Sequence, residues 1–228
     1  KSLFMPMEAD GDIFKKYDLK KENDVLFFGD LNSYRKDFVN YLRNNGINIK
    51  HVSRNLPEYS KDEDLVKIIN QSKIVINFSR AEFLKKIHAK ASIIKNYYQF
   101  KGRIYQTGLC GTACVTEYSP SHKIIFADDE LITFKNKEES VTIIKKILNN
   151  PTTLKKYSEN LYNKCLELED KKYIKKIEIF INSVKLKENA ENLTFKTPFW
   201  YNWLFVKQRL WLRYRKGNFI PFFKEVYD

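Results

Sequence analysis

Three short stretches of this chain, Asp24-Val25-Leu26-Phe27-Phe28-Gly29, Lys73-Ile74-Val75-Ile76-Asn77-Phe78 and Thr112-Ala113-Cys114-Val115-Thr116, are apolar at consecutive positions rather than at alternate ones. A strand that is apolar on both faces must be covered on both faces, which a parallel sheet between two helical layers achieves. Segments with helical spacing separate these runs, as in Tyr34 to Asn45, where Phe38, Val39, Tyr41 and Leu42 fall near one face. The alternation predicts an α/β fold with a doubly wound, Rossmann-like parallel sheet, whose ligands bind outside the carboxyl ends of the strands.

The remaining elements follow from the same periods. A strand is expected over 47–52, a helix over 61–71 carrying Leu65, Ile68 and Ile69, and a helix over 80–99. A short helix over 102–110, a turn at Ser119-Pro120 and a strand from Leu131 to Phe134 come next. Helices over 137–149 and 151–169 meet at Asn149-Asn150-Pro151, where proline suits a first helical turn, and another helix spans 171–187. We divide the chain into a lead-in or linker, 1–23, a Rossmann-like α/β domain, 24–187, and a basic aromatic helical extension, 188–228. Because Lys1 is not a start methionine, the chain reads as a part of a longer protein.

Composition narrows the partners. A length of 228 residues supports one sizeable core, and 41 basic against 28 acidic residues give a net charge of +13, which attracts nucleic acid, anionic lipid or phosphorylated small molecules. Many lysines stand beside acids, as in Lys61-Asp62-Glu63-Asp64, and belong to solvated faces. Cys110, Cys114 and Cys165 form an odd set without metal spacing, which suits a reducing, cytoplasmic compartment. His51, His88 and His122 lack metal-ligand spacing, and Asp128-Asp129-Glu130 reads as a solvated loop, so no metal is assigned. Gly29-Asp30-Leu31-Asn32-Ser33 is not the three-glycine dinucleotide fingerprint and no Walker loop occurs, which argues against NAD-dependent dehydrogenases and P-loop enzymes. The missing glycine-rich first loop also counts against a SAM-dependent methyltransferase.

In the expected fold, the loop after the first strand brings Gly29 and Arg35 to the ligand crevice, and the end of the third strand brings Asn77, Ser79 and Arg80. Ser79 suits a helix cap equally well. From Lys101 to Glu117 the chain reads as helix, glycine break and strand. Arg103 at the helix start suits an anion, whereas Gly108 and Gly111 allow close backbone approach or simply end the helix. No catalytic residue is assigned.

The order of these pieces resembles a known family. Pro6-Met7-Glu8-Ala9-Asp10 through Phe14, the first strand with Arg35, Asn77 ending a strand, Lys101-Gly102-Arg103 through Cys110-Gly111, and Thr116-Glu117-Tyr118-Ser119-Pro120 together resemble the C-terminal half of group 1 glycosyltransferases. The likeness covers about residues 5–170 and is nearest to the spore-maturation-type branch of the GT-B superfamily. It implies one half of a GT-B fold that grips the nucleotide of a UDP- or GDP-sugar donor, with no other cofactor and no essential metal. Arg35 and Arg103 would neutralise the diphosphate, Gly108 to Gly111 would help cradle it, and Asn77 and Ser79 would lie near base or ribose. Gln106 stands where the family commonly has a glutamate that accepts ribose hydroxyls, so its hydrogen bond lacks charge assistance. A second acidic position after Pro120 is filled by Ser121, His122 and Lys123. The resemblance further implies a retaining transfer to a glycan or lipid-linked acceptor, with an N-terminal half as the acceptor-binding partner.

Residues 199–216 hold all three tryptophans and no acid. If helical, they suit contact with anionic membrane through Lys207, Arg209, Arg213, Arg215 and Lys216, making the protein peripheral, or packing against a domain surface. Single-stranded nucleic acid is the less favoured partner, because the aromatics cluster in one helix instead of on a sheet face. Two readings therefore stand: a glycosyltransferase donor domain, and a non-catalytic basic α/β module that binds nucleic acid or anionic membrane.

Overall fold

The computed structural model describes residues 9–53, 61–80, 98–168 and 170–183. Five parallel strands form one sheet, β1 (Asn23–Phe28), β2 (Ile49–Val52), β3 (Ser72–Asn77), β4 (Ala113–Glu117) and β5 (Ile132–Phe134), in the order β2-β1-β3-β4-β5. The helices are α1 (Ser33–Asn44), α2 (Asp62–Asn70), α3 (Arg103–Leu109), α4 (His122–Ile125), α5 (Lys137–Leu148), α6 (Pro151–Glu167) and α7 (Asp170–Ser183). The winding direction reverses between β1 and β3, so loops diverge there and leave a crevice at their carboxyl ends.

Successive residues of β1 serve opposite layers, as its unbroken apolar run requires. Val25 and Phe27 join Ile74, Ile76 and Val115 beneath α1 (Phe38, Val39, Leu42) and α5 (Ile144, Ile147). Leu26 and Phe28 join Val75 and Cys114 on the other face, beneath α2 (Leu65, Val66, Ile69), α3 (Ile104, Tyr105, Leu109) and α6 (Leu161, Cys165). Each such side chain contributes about 1.5–3 kcal/mol on full burial, and this double layer is the main source of stability. Local signals set the helix starts: Asn32, Asn136 and Asn150 each accept a hydrogen bond from the backbone N–H three residues on, and Pro151 follows the last of these caps.

Several expectations are corrected. The described part of the lead-in, residues 9–23, packs with the domain: Ala9 and Phe14 are core residues, and Asn70 fastens this segment by accepting from Tyr17 N (2.7 Å) and donating to Lys15 O (3.0 Å). The reason is that α2 ends on a buried amide which, besides Val66 O of its own helix, finds its partners in that segment. The helix expected over 80–99 does not include its ends, because Arg80 and Tyr98 form an antiparallel bridge and Gln99 N donates to Ser79 O at 2.7 Å. Its interior, 81–97, lies outside the described residues, as does the 199–216 segment. The chain divides into two units after Ser183, a few residues before the expected boundary. His122 is buried in α4 against Phe100, and Cys110, Cys114 and Cys165 are buried free thiols.

Gly108 lies where α3 crosses α6. A Cβ there would overlap Cys165 Sγ and stand 3.0 Å from Leu161 Cγ. Gly108→Ala is expected to cost about 1–3 kcal/mol in denaturant unfolding, with Cys165→Ala in the same chain restoring part of the loss. For His122, burial pushes the imidazole down to about 4 from 6.5, so the folded chain excludes a proton that the unfolded chain binds below pH 6.5. This contribution is complete above pH 6.5 and is lost as pH falls toward 4. In melting curves the wild type should lose stability over that window relative to His122→Gln; identical pH profiles would contradict the assignment.

Candidate functional site

The crevice at the β1/β3 reversal gathers four of the residues picked from sequence. Gly29 follows β1 with φ at +121°, a conformation that side chains resist, and a Cβ there would overlap Arg103 Nη2 and stand 3.1 Å from its Cζ. Glycine is thus needed both for the turn and for room. Arg103 opens α3, and its guanidinium carbon lies 5.5 Å from the Phe27 ring centre and 5.7 Å from that of Phe28. Its Nη1 donates to Asn77 Oδ1 at 3.4 Å, while Asn77 Nδ2 donates to Thr116 Oγ1 at 2.8 Å. Asn77, fully buried at the end of β3, therefore aims Arg103.

Arg35 in α1 donates through Nη1 to Asp30 O at 3.0 Å, and its backbone N–H is capped by Asn32. Lys101, bonded to the Gln99 side-chain oxygen, completes a group of three cations. Burial first, and then the neighbouring Arg35, pulls Arg103 down to about 10. Lys101 is lowered by burial, Arg35 and Arg103 in that order. Among the described residues Arg103 makes no ion pair, and Asp30 is the acid that favours its charge. Clustered cations that mutually depress their charge gain most from a bound polyanion.

The other picks are placed elsewhere. Gly108 is buried against α6, and Gly111, at φ +64°, ends α3 ahead of the amino end of β4, on the side of the sheet away from the crevice. A glycine that closes a helix and one that admits a ligand look alike in sequence. Ser79 Oγ donates to Glu117 O at 2.8 Å, which ties this hydroxyl to the sheet. Gln106 is half-buried one turn along α3 from Arg103.

Sequence reasoning missed Glu117. It ends β4 at 1% exposure, and its carboxylate accepts from Tyr34 Oη (2.7 Å), Ser79 N (3.1 Å) and Arg80 N (2.9 Å). Arg80 Nε lies 3.5 Å away. Burial first, then the charge of Glu117, raises the Tyr34 phenol above its ordinary range. The signal was available: a lone carboxylate at the carboxyl end of an apolar strand meets the same positional rule that selected Asn77.

Among solved structures, the chain is similar to Anabaena HepE in complex with UDP and glucose, with a TM-score of 0.57, 11% identity and coverage of 78% of this chain and 56% of that one. It is also similar to sucrose-phosphate synthase from Thermosynechococcus elongatus, with a TM-score of 0.53, 10% identity, and coverage of 78% and 51%. The chain thus spans about half the length of either, and shares with them the Rossmann-like fold of GT-B enzymes. Against curated proteins the sequence gives no significant match. A family model described as glycosyl transferase-like matches residues 19–177, more than half of the chain and the whole sheet, and the chain belongs to that family.

Proposed function

We propose that the crevice binds the diphosphate of a UDP- or GDP-sugar, and that this chain is the donor-binding part of a glycosyltransferase whose acceptor-binding part lies in another domain or chain. The observation that carries the reading is Arg103, a half-buried cation without a carboxylate partner among the described residues, held by Asn77 over Gly29 beside Arg35 and Lys101. The same groups suit transfer chemistry. As the bond from sugar to diphosphate breaks, negative charge collects on the leaving phosphate, and donors fixed beforehand stabilise it without reorganising. This electrostatic route suits a metal-independent transfer; the retaining outcome and the spore-maturation-type branch enter the proposal from the family resemblance. Gln106 is the residue proposed for the ribose, lying three positions past Arg103 and hence on the same side of α3. A glycan or lipid-linked acceptor and cytoplasmic work at a membrane surface complete the proposal; among the described residues no helix is long and apolar enough to cross a membrane.

Calorimetry with UDP and with GDP tests the reading. One of them should bind saturably, and Arg103→Gln should weaken it about 10- to 100-fold, the equivalent of a charged hydrogen bond worth ~1.5–3 kcal/mol. Saturable binding of an oligonucleotide or of anionic vesicles, with no response to either nucleotide, would replace the proposal with the non-catalytic binding module. Gln106→Glu should tighten nucleotide binding through a charge-assisted bond, and an unchanged affinity would remove this position from the ribose site.

A further inference from the structure

The carboxylate of Glu117 does more than close the sheet. It ties together three elements that border the crevice: the first turn of α1 through Tyr34, the corner after β3 through Ser79 N and Arg80 N, and β4 itself. A buried carboxylate is stable only with such a full set of donors, and here the donors fix the corner from which Arg80 projects. Two aromatic side chains stand close to the guanidinium of Arg80. Its Cζ lies 4.8 Å from the Tyr34 ring centre and 5.8 Å from that of Tyr98. Its Nε edge faces Glu117 Oε1 at 3.5 Å, and Tyr98 also hydrogen-bonds the group. Yet the side chain keeps 33% exposure.

Arg80 also differs from the cations of the diphosphate cluster. Arg103 makes no ion pair among the described residues, whereas Arg80 is compensated by Glu117. A compensated guanidinium that keeps part of its surface exposed has less to gain from another phosphate. It suits paired oxygen acceptors on a neutral group, such as neighbouring sugar hydroxyls. Its position fits, because Arg80 follows Asn77 by three residues and Asn77 accepts from Arg103.

We propose that Arg80 contacts the sugar of the donor, past its phosphates, and that Glu117 is the positioning residue that presents it. This rests on the nucleotide-sugar reading, so the test separates the two. Calorimetry compares the wild type, Arg80→Gln and Arg80→Lys with bare UDP and GDP and with UDP-glucose and GDP-fucose. The wild type should bind one nucleotide and its sugar conjugate. Arg80→Gln should leave the bare nucleotide within about twofold and weaken the conjugate about tenfold or more, the loss of a hydrogen bond from a charged donor. Arg80→Lys, which keeps the charge but not the fork, should lose nearly as much. Glu117→Gln should repeat the selective loss, and hydrogen exchange at the Ser79 and Arg80 amides, which it loosens, reads the positioning without any ligand. If Glu117→Gln does not fold, the Arg80 variants still decide. Equal losses for nucleotide and conjugate in Arg80→Gln, or no loss in either, overturn the inference alone. A wild type that binds neither nucleotide overturns the parent reading and this one with it.

Discussion

A guanidinium drawn out of water needs a compensating partner, and the construction around Arg103 follows from that need. Desolvation and a neighbouring cation both oppose its charge, and Asp30, the acid that favours it among the described residues, lies outside ion-pair range. Proteins keep such a group where a ligand supplies the missing charge. Its surroundings are arranged accordingly: Gly29 clears the space, the Phe27 and Phe28 rings support the cation, and Asn77 fixes its direction from the adjacent strand. None of these contacts would exist unless the sheet reversed its winding between β1 and β3, which sets Gly29 and Asn77 side by side at the mouth of one crevice.

The short helix α3 joins this crevice to the core. At its first residue it carries Arg103, and five residues later it carries Gly108, pressed against Cys165 and Leu161 of α6. Seven residues make a weak dipole, so the positive field at the crevice comes mainly from Arg35, Lys101 and Arg103 and only slightly from the helix end. The packing of Gly108 matters to the site nonetheless. A helix of two turns has little rigidity of its own, and close contact with α6 holds its first residue in place.

The sequence made the sheet readable because β1, β3 and β4 are apolar at consecutive positions, and that pattern has few uses besides a strand covered on both faces. From the strands, a positional rule led to Gly29, Arg35 and Asn77, and the start of the short helix led to Arg103. The limits have physical causes. Gly108 and Gly111 could equally end a helix, admit a ligand or admit another helix, since an absent side chain carries no information about its neighbour. Ser79 was chosen for its place at the end of the third strand, and the fold turns its hydroxyl onto Glu117 O. Phe14 gave no period by which to recognise a core residue, because the segment around it is anchored by the Asn70 amide and has no regular structure of its own. Glu117 met the same positional rule as Asn77 but was overlooked because a carboxylate beside a strand is usually solvated, and its burial comes from the convergence of Tyr34, Ser79 and Arg80.

The central claim, that the β1/β3 crevice takes the diphosphate, is tested most directly by following backbone amide resonances of the chain during titration with UDP and with GDP. The account predicts saturable shifts concentrated at Gly29 to Asn32, Asn77 to Arg80 and Lys101 to Arg103, with little change at Gly108 to Gly111. Shifts centred on Gly111 and the amino end of β4, with the Arg103 region unmoved, would contradict it.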